Sequence, residues 1–390
     1  MHKVVVLGAR FGGSATAYWL HKLFPARELE VTVVDQWTTM TYRPALVTAA
    51  AGHPALADQW HIAMKQRCEK AGQHFVRDTI MRIDPHQQQV HLASRAPLSY
   101  DTLFIATGTD PGWKTIPGLG AERGGVCEDY LARQSGDRLH RAARSIVLAV
   151  GPLAQAPDDT PRLAGSLDAP AFEISFLTDA WLRQQNRRQN VKLTIITPAS
   201  VPGEAFGPKS QALLARFLAQ RHIDLITQAQ YHHVEHDAIH LVGHLAVQAD
   251  LMIWIPPYHG SELLRVSQLD DGYGWFPADP FCVHEKWPNI YGVGDISRTA
   301  LPKLGHIAMM QARTAVHHFY ALRHHGTPKP FNPYVLHVVW MGRGQGLLTL
   351  SNWLYGKGHE WAHPGVSSAL AKSLFDYSYK LFSGWMPIMP

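Results

Sequence analysis

The chain has 390 residues, 46% hydrophobic and 17% charged, with a net charge of +5, a pI near 9.0 and 24 histidines. That length predicts two or three domains, and the composition excludes a disordered chain while describing a rather apolar surface. The positive balance suits anionic cofactors or lipid headgroups, but without a dense Lys/Arg run nucleic acid is not an expected partner. Cys68, Cys127 and Cys282 stand far apart with no CxxC pair. Neither a zinc knuckle nor a local redox disulfide is therefore expected, and such sparse cysteine suits a reducing compartment. A strand is expected by Lys3, which leaves no room for a signal peptide, and no run of 18 apolar residues predicts a membrane span.

In chain order, "KVVVLG" reads as a strand buried on both faces, "SATAYWLHKLF" as a helix, and "LEVTVVD" as a second strand ending at Asp35. "HFVRDTIMRID" and "QQQVHLA" read as an antiparallel pair, and "LSYDTLFIATGTDP" as another buried strand closing in a small-residue turn. The theme then recurs: "RSIVLAVGPLAQAP" is strand and turn, "FEISFLTDAWLRQQ" helix, "VKLTIITPAS" strand, and "SQALLARFLAQRHIDLIT" helix then strand. "ADLMIWIPPY" and "PNIYGVGDIS" return to buried strands before the helix "HIAMMQARTAVHHFYALR". The expected fold is α/β, with two Rossmann-like dinucleotide-binding domains and a C-terminal membrane-facing segment. The first domain is discontinuous, over 1–114 and 249–325; the second, of vestigial NAD type, covers 115–248; the tail covers 326–390.

The stretch Gly8-Ala9-Arg10-Phe11-Gly12-Gly13 has the layout of a dinucleotide fingerprint with arginine at the middle glycine. Gly8 permits the tight turn and Gly13 the close approach of helix and strand. Arg10 is tolerable only with a negative φ and a side chain aimed away from the phosphates, where its charge helps. Asp35 follows at the distance of a ribose-binding acid. Two later stretches choose the nucleotide: Ala106-Thr107-Gly108 ends one buried strand, and Gly294-Asp295 ends another far downstream. In that order the three motifs indicate FAD, with Asp295 on the ribityl chain and just before a helix whose dipole favours a negative flavin edge.

On these motifs, together with "YRPAL" at 42–46, "VCED" around Cys127, "AVGP" at 149–152, "APAFEIS" at 169–175, "IPPYHG" at 255–260 and "VGDISRTALPKLGHIAMMQAR" at 293–313, the chain resembles the sulfide:quinone oxidoreductases. Their wider group includes flavocytochrome c sulfide dehydrogenase and type II NADH dehydrogenase. The resemblance extends over most of residues 3–320 and implies FAD, a small reduced sulfur donor and a membrane quinone acceptor. It implies catalytic roles for Cys127 beside the flavin, Glu173 in proton transfer and Lys303 near the flavin pyrimidine. For cofactor binding it implies Gly8, Arg10, Phe11, Gly12, Gly13, Asp35, Arg43, Thr79, Ala106, Thr107, Gly108, Gly294, Asp295, Lys303, Leu304 and Gly305.

The chain also departs from the family. Leu167 and Trp340 stand where its two redox cysteines belong, so a polysulfide bridge between two sulfurs has no anchor. Two rivals remain, an NADH:quinone reductase and a catalytically silent flavin-bound adaptor. NADH is disfavoured because "LAVGPLAQAPDDTP" offers one glycine, prolines without N–H groups, and the repelling acids Asp158 and Asp159, while the next strand ends in Thr197 rather than an acid. Cys282 and the pairs His232-His233 and His317-His318 read as surface residues, the histidines lacking a third ligand for a metal.

In "VSSALAKSLFDYSYKLFSGWM" (366–386), Leu370, Leu374, Tyr377 and Leu381 share one helical stripe, with Phe375, Phe382 and Trp385 beside it and Lys372 and Lys380 flanking. Such a helix suits a headgroup plane, as a peripheral protein on the cytoplasmic face of the plasma membrane; a homo-oligomer interface is the other use of that stripe.

Overall fold

The computed structural model describes residues 1–141, 144–155, 163–243, 246–298, 301–356 and 358–385. Five parallel strands form the first sheet in the order Ile290–Gly292, Thr102–Ile105, His2–Leu7, Leu29–Asp35 and His74–Arg77. Val4, Val6 and Leu7 are fully buried because helices or strands cover both faces of this sheet. Each such aliphatic side chain contributes about 1.5–3 kcal/mol by leaving water. Helix Phe11–Leu23 lies against helix Gly305–Arg323 through Ala15, Ala17, Met309, Ala312, Ala315 and Val316, mostly small residues that let two helices approach.

His74–Arg77 joins the parallel sheet instead of forming the expected antiparallel pair, which is made by Ile80–Asp84 with Gln89–Leu92. The second sheet is also parallel, in the order Asp224–Ile226, Lys192–Ile196, Ser145–Val150 and Leu251–Ile255. Its last strand corrects the boundary expected at 248: Leu251–Ile255 pairs with Ser145–Val150, so the second unit reaches past that point. Neither the mixed segment His74–Arg77 nor the buried apolar run Leu251–Ile255 carries in its own residues the sheet it enters.

The tail holds more order than its composition announced. Val335–Gly342, Gln345–Ser351 and Glu360–Gly365 form an antiparallel sheet, followed by helix Val366–Leu381. Leu370, Leu374, Tyr377 and Leu381 are exposed as expected, whereas Trp385 turns inward against Tyr18 and His21. Cys282 is buried too, not at the surface. The Asp279 carboxylate accepts the N–H groups of Phe281 and Val283, folding this polar segment into a turn that points the thiol inward. His317 and His318 are half-buried, the first edge-on to Trp19 and the second 3.0 Å from the Tyr291 hydroxyl.

Candidate functional site

The carboxyl ends of the first sheet open on a cavity of about 600 Å³, the place where open α/β sheets bind ligands. Gly8 closes the first strand with φ +91°, and a Cβ there would stand 2.4 Å from the Ala106 carbonyl oxygen. A Cβ on Gly13 would meet the Gly8 carbonyl oxygen at 1.8 Å. These contacts press the glycine turn against the Ala106-Thr107-Gly108 turn. Asp35 fastens the turn from the second strand, accepting the Ala9 N–H at 2.7 Å and the Trp37 N–H at 2.8 Å. Burial nonetheless holds its carboxyl above its usual range.

Arg10 meets both conditions set for it. Its φ is −79°, and its guanidinium reaches away to Glu128, 3.3 and 3.4 Å from the two carboxylate oxygens. Arg43 donates to the same carboxylate at 2.6 Å. Burial alone would raise the Glu128 carboxyl, but the two guanidiniums hold it below its ordinary value. Two guanidiniums thus meet on one carboxylate at this edge of the cavity, near the start of helix Phe11–Leu23, although the lining as a whole holds more acids than cations.

Of the residues expected here, Gly8, Arg10, Phe11, Gly12, Asp35, Arg43, Thr79, Ala106, Thr107, Gly108, Cys127, Glu173, Gly294, Asp295, Lys303, Leu304 and Gly305 all line the cavity. Gly13 lies behind the wall, as a packing glycine. Asp295 sits in a short turn, Gly294–Ile296, and the helix expected directly after it begins only at Gly305. The Lys303 ammonium donates to the Asp295 and Ser297 carbonyl oxygens at 2.9 and 2.8 Å and lies over the Trp275 ring, so it ties down the Asp295 turn.

Cys127 is the cavity's sole cysteine, since Cys68 and Cys282 are buried in the first domain's core. Burial pushes its thiol up, Arg43 pulls the other way, and the net direction is upward, so the resting sulfur is a thiol. The Tyr258 hydroxyl, absent from the sequence reading, donates to Sγ at 3.4 Å. Leu167 forms part of the wall. Trp340 donates its backbone N–H to Glu173 at 3.2 Å.

The largest omission from the sequence reading is Lys372. Expected on the membrane-facing edge of its helix, it is buried and paired with Glu173, also buried, inside the same cavity. Burial raises the Glu173 carboxyl although Lys372 opposes it, and burial lowers the neighbouring His337 imidazole to about 3, leaving that ring neutral. One turn on, Asp376 accepts the Tyr42 hydroxyl at 2.5 Å. The signal was present as a second stripe: Ser368, Lys372, Asp376 and Tyr379 repeat at helical spacing opposite the apolar one.

A second cavity, of about 620 Å³, opens at the carboxyl ends of the second sheet, lined in part by Pro198, Ser200, Glu204 and Tyr231. Burial, reinforced by Glu204, raises the Asp168 carboxyl to about 6. Asp158 and Asp159 lie outside the described residues. Because Asp168 holds a proton more readily folded than unfolded, its ionisation removes stability as pH rises from near 4 through 6. Asp168→Asn is therefore expected to raise the thermal midpoint at pH 8 and to change it less near pH 5, as melting curves at the two pH values would show.

A family model described as pyridine nucleotide-disulphide oxidoreductase matches residues 2–157. The sulfide-quinone reductase of Aquifex aeolicus (strain VF5) is 26% identical over 342 residues, 80% of this chain and 75% of that protein. The chain is similar to the sulfide:quinone oxidoreductases over about four fifths of its length. The crystal structure of the Aquifex aeolicus sulfide:quinone oxidoreductase has the same fold, with a TM-score of 0.86 at 20% identity, covering 98% of this chain and 92% of that one. NDH2 from Plasmodium falciparum, solved in complex with NADH, shares it with a TM-score of 0.76 at 12% identity, over 98% and 96% of the two chains. The chain is an oxidoreductase of this type, and its cofactor is FAD. The residues present fit that dinucleotide: a glycine turn no side chain can fill, a ribose-reach acid, and a helix N-terminus with spare N–H groups beside the Arg10 and Arg43 guanidiniums.

Proposed function

We propose that this protein takes electrons from a small reduced sulfur donor and delivers them, through FAD, to a membrane quinone. Bound FAD supplies two-electron chemistry without a protein disulfide. The observation that carries the reading is a buried Glu173–Lys372 pair in the cavity, with Glu173 on helix Ala169–Gln184 and Lys372 on helix Val366–Leu381, whose opposite face is apolar and exposed. Leu370, Leu374, Tyr377 and Leu381 are 58–66% exposed, with Phe375 and Phe382 beside them. Among the described residues no helix is long and apolar enough to cross a membrane, so attachment is peripheral, and we place it on the cytoplasmic face.

In this reading Gly8, Gly12, Phe11 and the start of helix Phe11–Leu23 would hold the pyrophosphate, with Gly13 packing the turn behind them and Arg10 and Arg43 balancing its charge. Asp35 holds ribose, Thr79 and Ala106-Thr107-Gly108 border the adenosine half, and Gly294, Asp295, Lys303, Leu304 and Gly305 border the flavin half. Glu173, held by Lys372, passes protons to the acceptor. Cys127 lies at the flavin's edge. Missing a partner sulfur, it does not store a polysulfide, so the donor is expected to react at the flavin directly. Glu204 lines the cavity at the carboxyl ends of the second sheet and disfavours a second pyrophosphate there, and with it NADH.

The decisive experiment is anaerobic mixing of the purified protein with sulfide, a persulfide, a thiol or NADH while flavin absorbance is followed. Bleaching by a sulfur species and recovery with a short-chain quinone is the expected result. Bleaching by NADH alone would move the protein to the NADH:quinone reductases, and no reduction by any donor would favour the adaptor. Acid precipitation of wild type and Cys127→Ser should separate the yellow colour into the pellet for a thioether-linked flavin in wild type only. The doubly changed Leu370→Glu, Leu374→Glu protein is expected to keep its flavin yet lose affinity for phospholipid vesicles in co-sedimentation by about a hundredfold or more, since each carboxylate costs a few kcal/mol in an apolar phase.

A further inference from the structure

In the second unit, strands Tyr231–Val234 and Ala238–Leu241 form a hairpin that sets the surface residue His233 opposite His240. His233 and His240 are direct cross-strand partners, so their rings share a face. They stack with centroids 4.0 Å apart. Glu235, two residues beyond His233, returns to the same face by the two-residue period of an extended chain. His233 Nε2 lies 3.4 Å from Oε1 of Glu235, and His240 Nε2 lies 3.4 Å from Oε2.

Those separations have a chemical meaning. A tetrahedral ion with bonds of about 2.0–2.1 Å holds its ligand atoms about 3.3–3.4 Å apart; each imidazole here meets that spacing with a different oxygen of Glu235, so binding requires the stacked rings to turn toward one point. One donor atom from each of the three residues falls within 4.8 Å of the others. His240 Nε2 is itself shielded from solvent and makes no directional hydrogen bond despite its nearness to the carboxylate. His232 Nδ1 lies 2.7 Å from His233 Nδ1, which occupies that nitrogen and leaves Nε2 of His233 as the one facing the cluster. The side chains are 30–55% exposed, so an ion can enter from solvent and keep water as a further ligand.

We propose that His233, Glu235 and His240 bind one divalent transition-metal ion of the zinc type, through two imidazole nitrogens and one carboxylate oxygen. Imidazole favours zinc, nickel and copper over magnesium or calcium, which prefer sets made of oxygen alone. The ion would join both strands of a hairpin whose Tyr231 lines the second cavity and donates to the Val150 carbonyl at 2.7 Å. It thereby braces one wall of that cavity.

The test is calorimetric titration of the full-length, flavin-bearing protein with zinc chloride, with Cu²⁺ electron paramagnetic resonance as an independent readout. Expected are one tight site per chain and copper hyperfine coupling to two nitrogens. His240→Ala and Glu235→Gln should weaken that site by about tenfold or more, while His236→Ala, at an exposed neighbour outside the cluster, leaves it unchanged. The proposal is overturned if wild type takes up no zinc at micromolar free metal. It is equally overturned if His240→Ala binds zinc and copper as wild type does, because the metal then sits on other histidines.

Discussion

Gly8→Ala is expected to purify without flavin. Two separate penalties fall on this substitution. The backbone at Gly8 has φ +91°, a region an L side chain enters only at a cost of about 1–2 kcal/mol. In addition, the new methyl would lie 2.4 Å from the Ala106 carbonyl oxygen and 2.8 Å from its carbon, both main-chain atoms that cannot rotate aside. The first strand must then move away from Thr102–Ile105, its neighbour in the sheet, and the two turns that flank the cofactor separate. Gly108→Ala is the matched control. Its φ is +78°, but the space around its Cβ is open. It carries the strain without the collision and should retain a large part of its flavin. The measurement is flavin per chain from visible absorbance, with circular dichroism to verify folding. Full retention in a folded Gly8→Ala protein would contradict the assignment of this turn to the cofactor.

Lys372→Met should give the largest loss of stability among single substitutions in the tail. It leaves Glu173 ionised in a buried site with the Trp340 N–H as its remaining donor, and removing one partner of a buried pair costs about 3–5 kcal/mol. The sign with pH follows from Glu173. Burial raises its folded pKa above that of the unfolded chain, and Lys372 opposes that rise. Without the lysine the folded pKa climbs further, so protonation relieves the strain. The deficit of the variant should thus be greatest at pH 8 and shrink as pH falls toward 5. The double variant Lys372→Met, Glu173→Gln should recover most of the loss, because neither residue then carries a charge out of water. Urea midpoints for the four proteins at the two pH values test this cycle. Equal losses in the single and double variants would mean that packing of the lysine stem, not its charge, holds the helix.

The same pair bears on the acceptor half of the proposed reaction. A carboxylate and an ammonium that share a proton-accessible cavity with FAD can exchange protons with a bound acceptor. The helix that carries Lys372 presents its other face to the surroundings. A single 16-residue helix, Val366–Leu381, thus joins cofactor chemistry on one side to an exposed apolar surface on the other.

Local chemistry was legible in the sequence. The strand, glycine turn and helix of residues 3–20, Asp35 at the end of the next strand, and the Ala-Thr-Gly and Gly-Asp turns all express requirements satisfied within a few residues: a backbone that must enter positive φ, a helix start with open N–H groups, an acid at a strand end. The residues so named for the cofactor line one cavity, Gly13 excepted. Even the departure at Arg10 could be stated as a condition on its φ and direction, which the fold then met.

What only the tertiary structure decided are pairings between distant segments. Glu173 and Lys372 are 199 positions apart, and Tyr42 and Asp376 are 334 apart. Leu251–Ile255 could have entered either sheet, Cys282 turned inward on a turn made by Asp279, and His240 met His233 through hairpin register. A stripe of polar residues on a helix looks the same in sequence whether water or a buried counter-charge awaits it. The free energy that distinguishes the two cases, desolvation of the charge against attraction to its partner, exists only once the partner's position is set by the fold.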